Sequence, residues 1–301
     1  MNNSCAKQNR NWKTASKPHN NHTMNISVFG MGIIGSRCAD NWGNAGHRVI
    51  RWNRTPRDLP HEVADALEAA RQSDILSLYL KDAAAVRSVV AAITPALGEG
   101  KMLLNHSTID LETTLWLDAH CRALRCRFVD APFTGSKIAA AEGKLTYYLA
   151  GDDDDVQRAG EILQATAGNV IPMGKSGNAT VIKLATNLIA ACLVEALAEA
   201  QAISIGHGIS AESFANAILA HGTASMLTRM KLPSMLAGNF ETHFSLDNMR
   251  KDSVYALQLA ESCGLSLPAM AAVSQRMTEL CAQDMADLDY TALAAPYPRE
   301  A

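Results

Sequence analysis

Lys183 and Asn187 stand four residues apart in a long, mostly apolar stretch, so on a helix both project from one face toward one point. An ammonium in apolar surroundings is costly, and desolvation lowers its pKa toward values that suit proton transfer. The same lysine could instead pack its stem and let its amine reach solvent, and spacing alone leaves both readings open. A second stretch, Asp130-Ala131-Pro132-Phe133-Thr134-Gly135-Ser136-Lys137, offers a hydroxyl, a glycine N–H and another hydroxyl in succession, a donor set fit for a carboxylate. A third, Asn105-His106-Ser107-Thr108, ends an apolar run and belongs on the same edge of a sheet, the edge where open α/β sheets bind ligands. Ser107 or Thr108 could equally cap a helix.

The elements that must position these groups begin at Asn25-Ile26-Ser27-Val28-Phe29-Gly30-Met31-Gly32-Ile33-Ile34-Gly35. A short apolar run of the buried-strand kind is followed by glycines in G-x-G-x-x-G spacing and then by a helix-like segment, the fingerprint of a dinucleotide site. The first glycine permits the turn, the second lets backbone approach a pyrophosphate, and the third lets helix and strand pack closely. Free N–H groups at the helix start face the anion. The next strand ends in Asn53-Arg54-Thr55, where an NAD enzyme usually carries an acidic residue for the ribose 2′-hydroxyl. A guanidinium there can grip a 2′-phosphate, and a charge-assisted contact of about 1.5–3 kcal/mol corresponds to roughly 10- to 150-fold preference for NADP over NAD. Alternatively Arg51, Arg54 and Arg57 are a solvated surface cluster.

The 301 residues suffice for two domains, and a formal net charge of -3 does not suggest a nucleic-acid surface. Seven Cys without a Cys-x-x-Cys read as reduced thiols of a cytoplasmic protein, and nine scattered His offer no zinc spacing. Residues 1–23 are polar and aperiodic, lack a signal peptide's apolar core and read as a disordered leader, with Met24 as a possible second start. Strands are expected near 25–30, 47–52, 74–80, 101–105 and 126–130, alternating with helices near 33–45, 61–72, 82–96 and 109–123. That rhythm predicts an α/β, doubly wound parallel sheet of the Rossmann kind. A further strand pair is expected at 145–150 and 169–171. Between them Asp152 to Asp155 read as a solvated helix start, where the macrodipole favours negative charge, rather than as a metal site. After Gly177 only helices follow, near 178–205, 210–220, 246–262 and 268–284, so a Rossmann domain over 24–177 gives way to an all-α domain over 178–301. The long interdomain helix, about 178–206, is interrupted by Lys183, Glu195 and Glu199 and reads as buried between domains and against a second subunit rather than in a membrane.

Taken in order, Gly30-x-Gly32-x-x-Gly35, Asn53-Arg54-Thr55, Ser107-Thr108-Ile109-Asp110, Asp130-Ala131-Pro132-x-Thr134-Gly135-Ser136-Lys137, Gly174-x-x-Gly177 with Lys183 and Asn187, and Lys251-Asp252 resemble the β-hydroxyacid dehydrogenase family over about residues 25–290. Within it the Gly135-Ser136-Lys137 wording, with Phe244 ahead of Asp252, looks most like the glyoxylate and succinic semialdehyde reductases, which use NADPH. Other members act on 3-hydroxyisobutyrate, tartronate semialdehyde or 6-phosphogluconate. The resemblance implies Lys183 as catalytic proton donor and acceptor, with Asn187 orienting the substrate. Ser107, Thr134, Gly135, Ser136, Phe244 and Asp252 would then lie at the substrate, and Met31, Ile33, Ile34, Thr108 and Lys251 with the glycine loop at an NADP(H) cofactor. Leu80-Lys81 occupies the family's Leu-Pro cofactor loop without its proline, and Thr134 replaces the more usual Ser. Separately, the apolar helical half argues against an isolated monomer and for a homodimer or homotetramer through the helical domain. Imine reductases share the architecture but lack the lysine, and non-catalytic NADP-binding relatives have lost it, so Lys183 with Asn187 counts against both.

Overall fold

The computed structural model describes residues 23–299, so nearly all of the expected leader lies outside the described residues. The chain runs β1 (Asn25–Phe29), α1 (Ile33–Asn44), β2 (Arg48–Trp52), α2 (Ala66–Arg71), β3 (Ile75–Leu78), α3 (Ala83–Ile93), β4 (Met102–Asn105), α4 (Leu111–Ala123), β5 (Arg127–Asp130), β6 (Phe133–Thr134), α5 (Lys137–Ala141), β7 (Leu145–Ala150), α6 (Asp153–Ile162) and β8 (Ala167–Gly174). Helices follow: α7 (Asn178–Gly206), α8 (Ala211–Ala220), α9 (Met226–Ala237), α10 (Leu246–Ser262) and α11 (Pro268–Leu280).

The sheet order is β2-β1-β3-β4-β5-β7-β6, with β8 paired to β7. Strands β2 to β5 and β1 are mutually parallel, whereas β7 runs antiparallel to β5 and β6, so the expected parallel sheet becomes mixed at one edge. Both faces are covered, and alternation along each strand divides the side chains between them. Val28, Ile75, Met102, Leu104 and Val129 pack on one face with Cys38, Trp42 and Val156 of α1 and α6. Phe29, Leu76, Leu78, Leu103 and Phe128 pack on the other with α2, α3 and α4. Because β2 and β3 lie on either side of β1, the strand order reverses there, and the carboxyl ends of β1 and β3 form a ligand crevice.

Several boundaries differ from the sequence reading for local reasons. The helix expected over 61–72 begins only at Ala66, because Glu62 bridges to Arg51 of β2 and Asp65 caps α2 by accepting from the Leu67 and Glu68 N–H groups. The sequence pattern announces neither α5 nor α9; α9 holds Pro233 and has Lys231 buried with Met226 exposed, so it shows no apolar periodicity. The expected last helix stops as an α-helix at Leu280 and ends in a π turn over Cys281–Met285, where Asp284 has φ 61°. Helix α7 contacts α4, α8, α9, α10, α11 and β7. By length and composition alone it is apolar enough to cross a membrane. Its burial is one-sided: Ala191, Val194 and Ala198 are buried, while Ile189 and Ile203 are exposed, so the expectation of burial on every side is not met within one chain.

Candidate active site

The crevice at β1 and β3 is made of backbone and empty space. Gly30 has φ +101°, and a Cβ there would fall 2.2 Å from the Tyr79 carbonyl oxygen; one at Gly35 would fall 2.1 Å from that of Gly30. At Gly32 a Cβ would meet nothing within 4 Å, so the middle glycine opens onto a cradle. It also caps α1 with no side-chain bond, which leaves the first amides of that helix available to an anion. Asn53 holds the rim, its Oδ1 accepting from Met31 N–H at 3.1 Å and its Nδ2 donating to the Thr55 carbonyl at 2.6 Å. Arg57 donates to the Met31 carbonyl at 2.8 Å. These groups fit a dinucleotide pyrophosphate.

The basic cluster is divided by the fold. Arg51 is buried, ion-paired with Asp40 at 2.9 Å and bonded to the Pro60 carbonyl, so it is neither a solvated charge nor a phosphate ligand. Arg54 is exposed, and its guanidinium has no partner among the described residues. The loop after β4 also departs from the capping alternative. Asp110, not Ser107 or Thr108, caps α4 by accepting from Thr113 N–H at 2.7 Å. The buried Ser107 hydroxyl accepts from Leu80 N–H at 2.8 Å and donates to the Leu78 carbonyl, tying the loops after β3 and β4 together. His106 is buried between Ser77 and the Ala131 carbonyl and stacked on Tyr79, and burial lowers its pKa to about 4, so it stays neutral.

Opposite this crevice a chain of side chains crosses from α7 to α10. Lys183 Nζ donates to Asn187 Oδ1 at 3.0 Å, and Asn187 Nδ2 donates to Asp252 Oδ2 at 2.6 Å. The other oxygen of Asp252 accepts from Lys251 Nζ at 2.6 Å, and Lys251 also donates to the Thr108 carbonyl at 2.8 Å. The relay therefore ends on the sheet side of the cleft. Burial lowers the Lys183 pKa to about 8; the Asp252 charge opposes that shift and the Lys251 charge adds to it. Near neutral pH the amine is a cation with a proton held loosely enough to give away.

The expected carboxylate loop meets the helical half by its far end. Thr134 is exposed, Gly135 has φ +141° against Leu145, and the Ser136 hydroxyl caps α5 by accepting from Ala139 N–H at 3.2 Å. Lys137 pairs with Glu241 at 2.8 Å, just ahead of Phe244. The Phe244 amide donates to Asp289 at 3.0 Å, and its ring meets Tyr290 edge-on. On the cofactor side Lys81 crosses to Asp247 of α10 at 3.0 Å.

Residues 25–174 match the model of the NAD binding domain of 6-phosphogluconate dehydrogenase, and residues 177–297 that of the NAD-binding domain of NADP-dependent 3-hydroxyisobutyrate dehydrogenase. The chain belongs to the β-hydroxyacid dehydrogenase family. It is thus an NAD(P)-dependent oxidoreductase of CH–OH groups. It is 28% identical to the chloroplastic glyoxylate/succinic semialdehyde reductase 2 of Arabidopsis thaliana over 90% of this chain and 78% of that protein. It is 27% identical to the 2-hydroxy-3-oxopropionate reductase of Escherichia coli over 90% of this chain and 96% of that one. A 3-hydroxyisobutyrate dehydrogenase of Mycobacterium tuberculosis solved with L-serine shares the fold, with a TM-score of 0.84 at 24% identity, covering 91% of this chain and 99% of that chain.

In this dehydrogenase the helical spacing of Lys183 and Asn187 is visible in the sequence, but three structural partners contributed by the helical half carry no local signal. Asp247 answers Lys81, Glu241 answers Lys137, and the Tyr255 hydroxyl accepts from Ala83 N–H at 3.4 Å. Each pair joins residues more than a hundred positions apart, which no periodicity reports. Among the described residues no group of three or more His, Cys, Asp or Glu is placed to hold a metal.

Proposed function

We propose that this dehydrogenase is an NADPH-dependent reductase of a small carboxylate-bearing aldehyde or keto acid, of the glyoxylate or succinic semialdehyde kind, with Lys183 as its proton donor. The observation that carries this reading is the half-buried Lys183 amine, oriented by Asn187 and brought to a pKa of about 8. The bound nicotinamide cofactor supplies the hydride. Lys183 gives its proton to the carbonyl oxygen as negative charge develops there, and takes one back in the reverse direction. Asn187 is itself held by Asp252, so the amine is aimed before substrate arrives. The Thr134 hydroxyl and the Gly135 N–H, on a loop whose shape the backbone of Gly135 sets, hold the substrate carboxylate. Arg54, exposed at the rim, binds the 2′-phosphate that distinguishes NADPH from NADH.

Relatives named for glyoxylate, succinic semialdehyde and 2-hydroxy-3-oxopropionate support this substrate class, because each is an aldehyde that carries a carboxylate. The decisive experiment is Lys183→Ala assayed with NADPH and saturating glyoxylate or succinic semialdehyde. Turnover should fall by about three orders of magnitude, the range of general-acid contributions, and near-native turnover would sink the role of the lysine. In parallel, Arg54→Ala should raise KM for NADPH by roughly tenfold or more while leaving KM for NADH unchanged. An equal effect on both cofactors would remove Arg54 from the phosphate site.

A further inference from the structure

We propose that Asp130 is a positioning residue for the reaction: from the end of β5 it holds the first turn of α7, and so sets where Lys183 stands relative to the Thr134–Ser136 loop. The inference rests on Lys183 being the proton donor.

Helix α7 starts in a difficult place. Its cap, Gly177, has φ 92° and no side chain, so apart from the Asn178 N–H, which donates to the Lys175 carbonyl at 3.1 Å, nothing local meets the orphan amides of the first turn. Those amides are also out of water, since Ala179 and Thr180 are buried. Asp130, fully buried itself, supplies the missing acceptor from another element: Oδ2 accepts from Thr180 N–H and Oδ1 from the Thr180 hydroxyl, both at 2.9 Å. The Thr180 hydroxyl in turn meets that of Thr114 on α4 at 2.9 Å, and a Cβ on Gly177 would fall 2.7 Å from Leu111. The helix end is therefore boxed against α4 and the sheet. A carboxylate at a helix N-terminus is favoured by the macrodipole as well as by the bonds it accepts.

The position of Thr180 gives this box its consequence. Lys183 lies three residues on, roughly 4.5 Å along the axis and on nearly the same face. A slip or rotation of the first turn would carry the amine with it. In the other direction, Ala131 to Ser136 continue directly from Asp130 into the loop of hydroxyl and amide donors. One carboxylate thus registers the proton donor against the groups that hold the substrate carboxylate.

Asp130 faces Asn105 of β4, Ala150 of β7, and Gly177 and Thr180 of α7, with Thr114 of α4 behind Thr180. None of these ionises, and no charged side chain bears on the carboxyl. Burial raises its pKa to about 6, opposed by the Thr180 amide and hydroxyl and by the Gly177 amide. A carboxyl raised in the folded state favours folding when protonated, so its ionisation above that pH completes the clamp at a cost in stability.

The test is Asp130→Asn in the full chain, with Thr180→Val as a second variant and Lys183→Ala as reference. Asp130→Asn should lower kcat by about 10- to 100-fold, with KM for NADPH within about twofold of native. It should unfold within a few degrees of native at pH 8, because a costly buried charge has been removed. Native kcat should fall as pH drops through about 6, and the variant, which never carries the charge, should lack that limb. Thr180→Val, which keeps the amide bond and loses the hydroxyl, should lower kcat by a smaller factor. Native-like kcat with the acid limb intact in Asp130→Asn, or native-like kcat in Thr180→Val should Asp130→Asn fail to fold, would overturn the assignment. If Lys183→Ala is inactive while Asp130→Asn is native-like, only the positioning role fails; if Lys183→Ala is active, the reductase reading itself fails.

Discussion

On the sheet side of the cleft, the Gly30–Gly35 turn works by having no side chains, whereas on the helical side Lys183, Asn187, Asp252 and Lys251 work by side chains joined at 2.6–3.0 Å. The first wall is local in its making: eleven consecutive residues form the strand, the turn and the helix start, Tyr79, Asn53 and Arg57 close on them, and the wall's specificity lies in which Cβ atoms are missing. The second is non-local, since α7 and α10 bring together residues 65 positions apart. A local wall has little tolerance for added volume and none for relocation. A non-local wall can be loosened without unfolding, because each of its members is one bond in a chain between rigid helices.

The largest effect that would sharpen this contrast is expected within the glycine turn itself. Gly35→Ala puts a Cβ 2.1 Å from a backbone oxygen that cannot move aside, so it should destabilise the protein by several kcal/mol, at or above the usual range for overpacking, read as a large fall in Tm. Gly32→Ala meets nothing within 4 Å and should leave Tm nearly unchanged while weakening cofactor binding, measured by fluorescence titration with NADPH. Equal Tm losses in the two variants would break the claim that the middle glycine serves the ligand rather than the fold.

On the helical wall, Asp252→Asn should leave the fold intact and move the titration of the site. The Asp252 charge holds the Lys183 pKa up against burial, so without it that pKa falls below about 8. Reduction needs protonated Lys183, and kcat for reduction should fall above about pH 8 in the native enzyme and at lower pH in the variant. A basic limb that stays in place would disconnect the aspartate from the lysine. The smallest effect is expected where the two walls meet at the surface. Lys81→Ala removes a 3.0 Å bridge to Asp247 whose lysine is 63% exposed, and chemical denaturation should register about 1 kcal/mol or less.

The sequence was most readable where function needs consecutive residues. The turn from Gly30 to Gly35 and the Lys183–Asn187 spacing declared their geometry, because a strand, a tight turn and a helix have fixed periods. It was least readable at Arg51, whose type suits a phosphate ligand or a solvent-facing charge equally and whose partner Asp40 comes from α1. Ser107 admits two readings by type, a helix cap or a group at the substrate; Asp110 takes the cap, and the Ser107 hydroxyl joins two loops. α9 went unseen because Pro233 and the buried Lys231 break its pattern, and that lysine is tolerated inside only because Asp289 accepts from it at 2.8 Å.

By itself the chain determined the alternation of strands and helices, the glycine turn and the switch to helices beyond Gly177, since each follows from local propensity and periodic burial. Tertiary structure alone decided which carboxylate meets which donor. Asp130 capping α7, Asp252 bridging Asn187 and Lys251, and Asp40 drawing in Arg51 all depend on helices and strands being docked at angstrom precision. A hydrogen bond fades within a few tenths of an ångström of its optimum, and no sequence interval encodes a distance between separate elements.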